Sequence, residues 1–155
     1  MSLAQHLTRC PRPWNRDRGA EALEAVGLDD PNLAALVSGA AGCSPYLAQL
    51  ILREAAWLPQ ALDAPDGALA DVLRPIDPQD PDLKRTLRQA KRRVALLAAL
   101  ADLGGAWSLE QVTGALTDLA DMACAAALQA AVAAQVARGK LPDSDVGLFV
   151  LAMGK

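Results

Sequence analysis

The sequence predicts a mainly α-helical protein, a helical bundle built around one long antiparallel helix hairpin. Three observations predict it. Hydrophobic residues make up 52% of the chain and are dominated by Ala and Leu, the strongest apolar helix formers, while aromatics are only 3%. An Asp or Ser followed by Pro recurs at Asp30-Pro31, Ser44-Pro45 and Asp80-Pro81, pairing a side chain that accepts from free amides with a residue suited to the first helical turn. Between these signals apolar residues return at steps of three and four, the period of a helix face.

The elements follow in order. Residues 1–19, with Pro11, Pro13 and three arginines around Trp14, read as an irregular segment. A helical domain is expected over residues 20–140. It opens with a short helix over 21–26, closed by Gly27. Pro31 starts a helix through Leu33, Leu36 and Val37 that ends near Gly39 or Gly42. Pro45 starts another through Leu47, Leu50, Ile51 and Leu58, ending before Pro59. Residues 60–78 hold short pieces, with one or two helical turns over 68–73. Asp80-Pro81 opens the clearest helix, with Leu83, Leu87, Ala90, Val94, Leu97 and Ala101 in one stripe and Gly104-Gly105 as its stop. Ser108 and Gln111 form a capping box for the next helix, whose apolar face runs through Leu109, Val112, Leu116, Leu119 and Ala123. Ala126, Ala127, Ala130 and Ala134 extend that face with small side chains until Arg138-Gly139. The short connection makes these two helices antiparallel neighbours. Residues 146–153 then change to a compact apolar run that reads as a buried strand, and a strand needs a sheet to accept and donate its hydrogen bonds.

Composition excludes several functions. The 155 residues suit one domain, and a net charge of −3 argues against a general nucleic-acid binder. No turn-helix pair carries a basic recognition helix. Cys10, Cys43 and Cys124 lack the paired spacing of a zinc site or a disulfide scaffold. Cys124, inside an alanine run, is expected to be a small core residue. No signal peptide is visible, and the apolar stretch 122–136 is too short to span a bilayer. The expected setting is the cytoplasm, without membrane or nucleic acid.

Residues suited to chemistry are few. His6 is the only histidine and lies in the irregular segment, where a surface position is expected. Asp143 and Asp145 form an Asp-x-Asp able to hold a divalent cation, but they precede the apolar run and read as a solvated loop. Lys84, Arg88 and Lys91 share one helical face with Arg92 beside them. Such a face suits phosphates or the acidic residues of a neighbouring domain, and equally an ordinary solvated surface. Gly154-Lys155 follows the apolar run as a turn whose amides and ammonium suit a phosphate.

Three stretches together resemble a known family. Ser44-Pro-Tyr-Leu-Ala-Gln-Leu-Ile-Leu opens a helix. Leu87-Arg-Gln-Ala-Lys-Arg-Arg-Val passes from basic to apolar and is followed by Asp102-Leu-Gly-Gly and then Leu116-Thr-Asp-Leu-Ala-Asp. Phe149-Val-Leu-Ala-Met-Gly-Lys closes the chain. In this order they resemble the region leading into the first catalytic domain of the glutamine synthetase adenylyltransferase/adenylyl-removing family. Ala152 departs from the family's usual Gly before Met-Gly-Lys-Leu-Gly, and Ala101 from its frequent Arg.

The resemblance implies a helical region followed by a polymerase-β-like nucleotidyltransferase domain, truncated here, whose first strand and turn are residues 146–155. It implies a parent enzyme that uses Mg²⁺ and ATP or ADP to attach AMP to glutamine synthetase and remove it by phosphorolysis, with the N-terminal half performing removal. A PII-type signalling protein and the C-terminal catalytic domains are further implied partners. Gly154 and Lys155 are the implied nucleotide-binding positions. The metal-binding carboxylates are expected beyond Lys155, so the resemblance implies no catalytic or metal residue in this chain and no bound cofactor. A non-enzymatic helical interaction module using the basic face of residues 84–93 is the alternative.

Overall fold

The computed structural model describes residues 1–142 and 147–151. Among them are seven α-helices: α1 (Arg16–Val26), α2 (Pro31–Cys43), α3 (Pro45–Arg53), α4 (Leu58–Asp63), α5 (Pro65–Val72), α6 (Leu83–Leu103) and α7 (Leu109–Ala137). A single 3₁₀ turn, Leu3–His6, precedes them. The mainly helical expectation holds.

Most start signals work as their chemistry requires. The Asp30 carboxylate accepts from the Asn32 and Leu33 amides at 2.8 and 3.0 Å, and the Ser44 hydroxyl accepts from Leu47 at 3.2 Å. Ser108 and Gln111 exchange hydrogen bonds reciprocally, forming the expected capping box at the start of α7. The Glu110 carboxyl in that first turn lies below its ordinary range because it bonds to its own backbone amide and to Ser108. Its contribution to the cap is therefore present above the ordinary carboxylate range and lost as pH falls through the lowered value.

The helix predicted from Pro45 to Leu58 is instead broken. It ends at Arg53, turns over residues 54–57 and restarts as α4 with Pro59 in its first turn. Pro59 has no amide to donate, so it is accommodated as a helix start and not as an ending. The break turns Glu54 and Trp57 toward α6.

Residues 1–15 are tied down more than their composition suggests. Leu3 is buried in the core, and α1 begins at Arg16, four residues before the pattern predicted. The segment between them lies across α2 at Gly39 and Gly42. A Cβ at Gly39 would overlap the Pro11 carbonyl, and one at Gly42 would overlap Pro13. Two arginines then close helix ends electrostatically. Arg18 donates to the Ala41 and Gly42 carbonyls at 2.7 and 2.6 Å, and Arg9 donates to the Asp102 and Leu103 carbonyls at 2.8 and 3.2 Å. Cations placed on the free carbonyls of α2 and α6 oppose the negative ends of those helices.

The core has two parts. The larger joins α1, α2, α3 and α4 to the C-terminal half of α6 through Leu36, Val37, Ile51, Leu58, Leu62, Leu97 and Leu100. The smaller lies between α6 and α7 and holds Ala90, Val94, Ala115 and Leu119. Among the described residues, helix α6 alone contributes buried residues to both. Each fully buried Leu contributes about 1.5–3 kcal/mol, so the alanine-rich second cluster is the weaker.

Gly39→Ala is expected to lower stability by about 1–3 kcal/mol, because neither the Pro11 backbone nor α2 has room to yield. Urea unfolding checks this; an unchanged midpoint would contradict the close approach.

Candidate functional site

The α6–α7 hairpin is positioned by one buried carboxylate. Glu54 is 4% exposed and is the only buried charged residue among the described residues. Its two oxygens accept from Arg92 Nε at 2.8 Å and Arg93 Nε at 2.9 Å. The Arg93 guanidinium also lies over the Trp57 ring, 4.9 Å from its centre. The turn between α3 and α4 is thereby fastened to the middle of α6, near the boundary of the two core clusters. Sequence reasoning missed Glu54. The available signal was the adjacent pair Arg92-Arg93 flanking the apolar stripe together with Glu54 inside an apolar stretch, but nothing local joins the two.

The predicted basic face is consequently smaller than expected. Lys84, Arg88 and Lys91 are exposed, and none of them forms an ion pair among the described residues. Arg92 does not join them. Its side chain is 31% exposed and committed to Glu54. The correction follows from helix geometry: Arg92 and Arg93 sit on the flank of α6 that meets α3 and α4.

Arg88 and Lys91 instead border a groove between α6 and α7 of about 370 Å³, lined by Leu87, Leu116, Leu119, Ala120 and Ala123. Leu119 is largely buried there, whereas Leu116 is 43% exposed. The predicted apolar face of α7 is only partly covered. Leu109 is 73% exposed, and the residues buried against neighbours are Ala115, Leu119, Ala126 and Val132. Cys124, expected in the core, is exposed. Among the described residues no element covers its face of α7. With 29 residues, α7 is also long and apolar enough to cross a membrane by length and composition. The stretch considered from sequence was shorter because it began at Met122; the helix begins at Leu109.

The remaining candidates form no site among the described residues. His6 is exposed. No group of three His, Cys, Asp or Glu side chains able to hold a metal occurs among the described residues. Asp143, Asp145, Gly154 and Lys155 lie outside the described residues. Within the expected strand, residues 147–151 are irregular, and Phe149 and Leu151 are 83% and 74% exposed. No strand occurs among the described residues, so this run has no partner to complete a ladder.

The family model for glutamate-ammonia ligase adenylyltransferase matches residues 34–155, which include the whole hairpin, its groove and the apolar run. The chain belongs to this family. It is 40% identical to the bifunctional glutamine synthetase adenylyltransferase/adenylyl-removing enzyme of Caulobacter vibrioides, in an alignment covering 99% of this chain and 18% of the relative. It is 38% identical to the enzyme of the same name from Bradyrhizobium sp. (strain BTAi1), covering 86% of this chain and 15% of the relative. The chain thus spans less than a fifth of the length of these adenylyltransferase relatives. No solved structure matches it.

Glu54→Ala is expected to cost roughly 2–4 kcal/mol, below the upper range for a buried pair because both arginines retain some access to water. Denaturant unfolding measures it; a loss under about 0.5 kcal/mol would show that the clamp does not hold the hairpin.

Proposed function

We propose that this chain is the N-terminal helical part of an enzyme that attaches AMP to glutamine synthetase and removes it, and that it serves the half performing removal. The family match over residues 34–155 is the observation that carries this reading. In phosphorolysis, inorganic phosphate attacks the adenylyl phosphorus, the bond to the tyrosine oxygen breaks, and ADP and free tyrosine result. Mg²⁺ with ATP or ADP belongs to this proposal, as do a PII-type partner and a cytoplasmic setting. The described residues do not fit a metal site. No step of the reaction is therefore assigned to them. Metal-bound carboxylates, which phosphoryl transfer needs to offset charge on the phosphate oxygens, are assigned to the rest of the polypeptide. Gly154 and Lys155 are assigned to the opening of the nucleotide-binding turn.

The alternative, a non-enzymatic interaction module, draws support from Lys84, Arg88 and Lys91 beside the apolar groove. It does not by itself account for a family match extending over the hairpin and the apolar run.

The test uses the full-length polypeptide with adenylylated glutamine synthetase and phosphate. ADP release is expected, and Leu97→Asp, which places a charge in the larger core, is expected to abolish it while ATP-dependent attachment persists. Loss of attachment with removal intact would overturn the assignment to the removing half. Absence of both reactions in the unaltered enzyme would overturn the function.

A further inference from the structure

We propose that the groove between α6 and α7 is the docking surface for the catalytic part of the same polypeptide, which seats an amphipathic helix with an acidic edge there. The proposal rests on reading this chain as the N-terminal part of a longer enzyme, and it specifies the surface through which the two parts meet.

Three independent observations support it. The first is the chemistry of the groove. Its floor is Leu87, Leu116, Leu119, Ala120 and Ala123, while Arg88 and Lys91 stand at its edge. Neither cation has an ion pair among the described residues, so both are free to meet an acidic partner. An apolar floor beside unpaired cations complements an apolar stripe flanked by Glu or Asp.

The second is the shape of α7. Leu116, Ala120 and Ala123 share one helix face, as positions three and four apart must. The small side chains of Ala120 and Ala123 let another helix backbone approach closely beside Leu116. Only 17% of the most apolar window of α7 is buried, although the Ser108 cap and the packing of Ala115 and Leu119 on α6 hold the helix in place. A rigid helix with an uncovered apolar face offers a preformed surface, so little ordering opposes docking.

The third is the length of chain available. The matched region is 18% or less of the Caulobacter and Bradyrhizobium relatives, so more than four-fifths of each relative lies outside it. A segment tethered to the same chain meets the groove at a high effective concentration, and modest contacts suffice to hold it. A bilayer fits this face less well. The exposed side chains are mostly alanine, which contributes little on transfer to hydrocarbon.

Thiol labelling in the full-length protein tests the surface. Ala120→Cys places a thiol in the groove, and Asp118→Cys places one on the exposed opposite side of the same helix. Maleimide reaction at each is followed by peptide mass spectrometry. The groove thiol is expected to react at least about tenfold more slowly than the control. Adding Arg88→Glu and Lys91→Glu, both at exposed positions, is expected to remove most of that protection. Equal reactivity of the two thiols overturns the proposal. So does protection that disappears on dilution, which would indicate a second copy, or protection that appears only with anionic phospholipid vesicles. AMP removal is measured on the same samples. Equal thiol reactivity in an active enzyme defeats the docking surface alone, whereas an inactive unaltered enzyme defeats the functional reading.

Discussion

The pairing of buried Glu54 with Arg92 and Arg93 is the constraint on which the arrangement depends. A carboxylate 4% exposed is tolerable only because two guanidinium groups reach it. Those groups come from adjacent positions of α6, so satisfying the carboxylate fixes both the rotation and the height of that helix. The pair therefore supplies what an alanine-rich core cannot. Ala and Leu surfaces make many near-equivalent packings, whereas two charged hydrogen bonds accept only one. Trp57 beneath Arg93 adds a flat contact to the same geometry.

Once α6 is fixed, its two ends have different fates. The C-terminal half enters the larger core and is closed by Arg9. The N-terminal half carries α7, with a smaller cluster and an open groove. The stability gradient runs from the α1–α4 side toward the far end of α7, and the surfaces best suited to a partner lie at the weaker end. Elements that must receive another domain often lie there, since surface already buried in a core is unavailable for docking. The relatives in the adenylyltransferase family are more than five times longer than this chain, as the proposed docking at that end requires.

Much of the helical framework was legible in the sequence because caps and periodicity are local. Asp30, Ser44 and Ser108 each bond amides within three residues, and Gly105, with φ of 64°, ends the long helix through its own backbone. The α3–α4 break was not legible, since Pro59 marks a helix start as readily as an end. Periodicity identified the apolar side of α7 but not what would cover it. Leu109 and Cys124 are exposed among the described residues, and no local pattern encodes what packs against a helix face. Arg92 was misplaced for a related reason: its partner lies 38 positions away. The family resemblance was legible in short motifs, while the nucleotide-binding positions Gly154 and Lys155 lie outside the described residues.

Amide hydrogen exchange across α7 weighs the central claim, that a preorganised hairpin offers an uncovered face to the rest of its polypeptide. In the full-length protein, amides of residues 120–136 should exchange far more slowly than the same amides in the 155-residue chain, while those of α2 remain alike in both. Matching exchange along α7 in the two proteins would contradict the account.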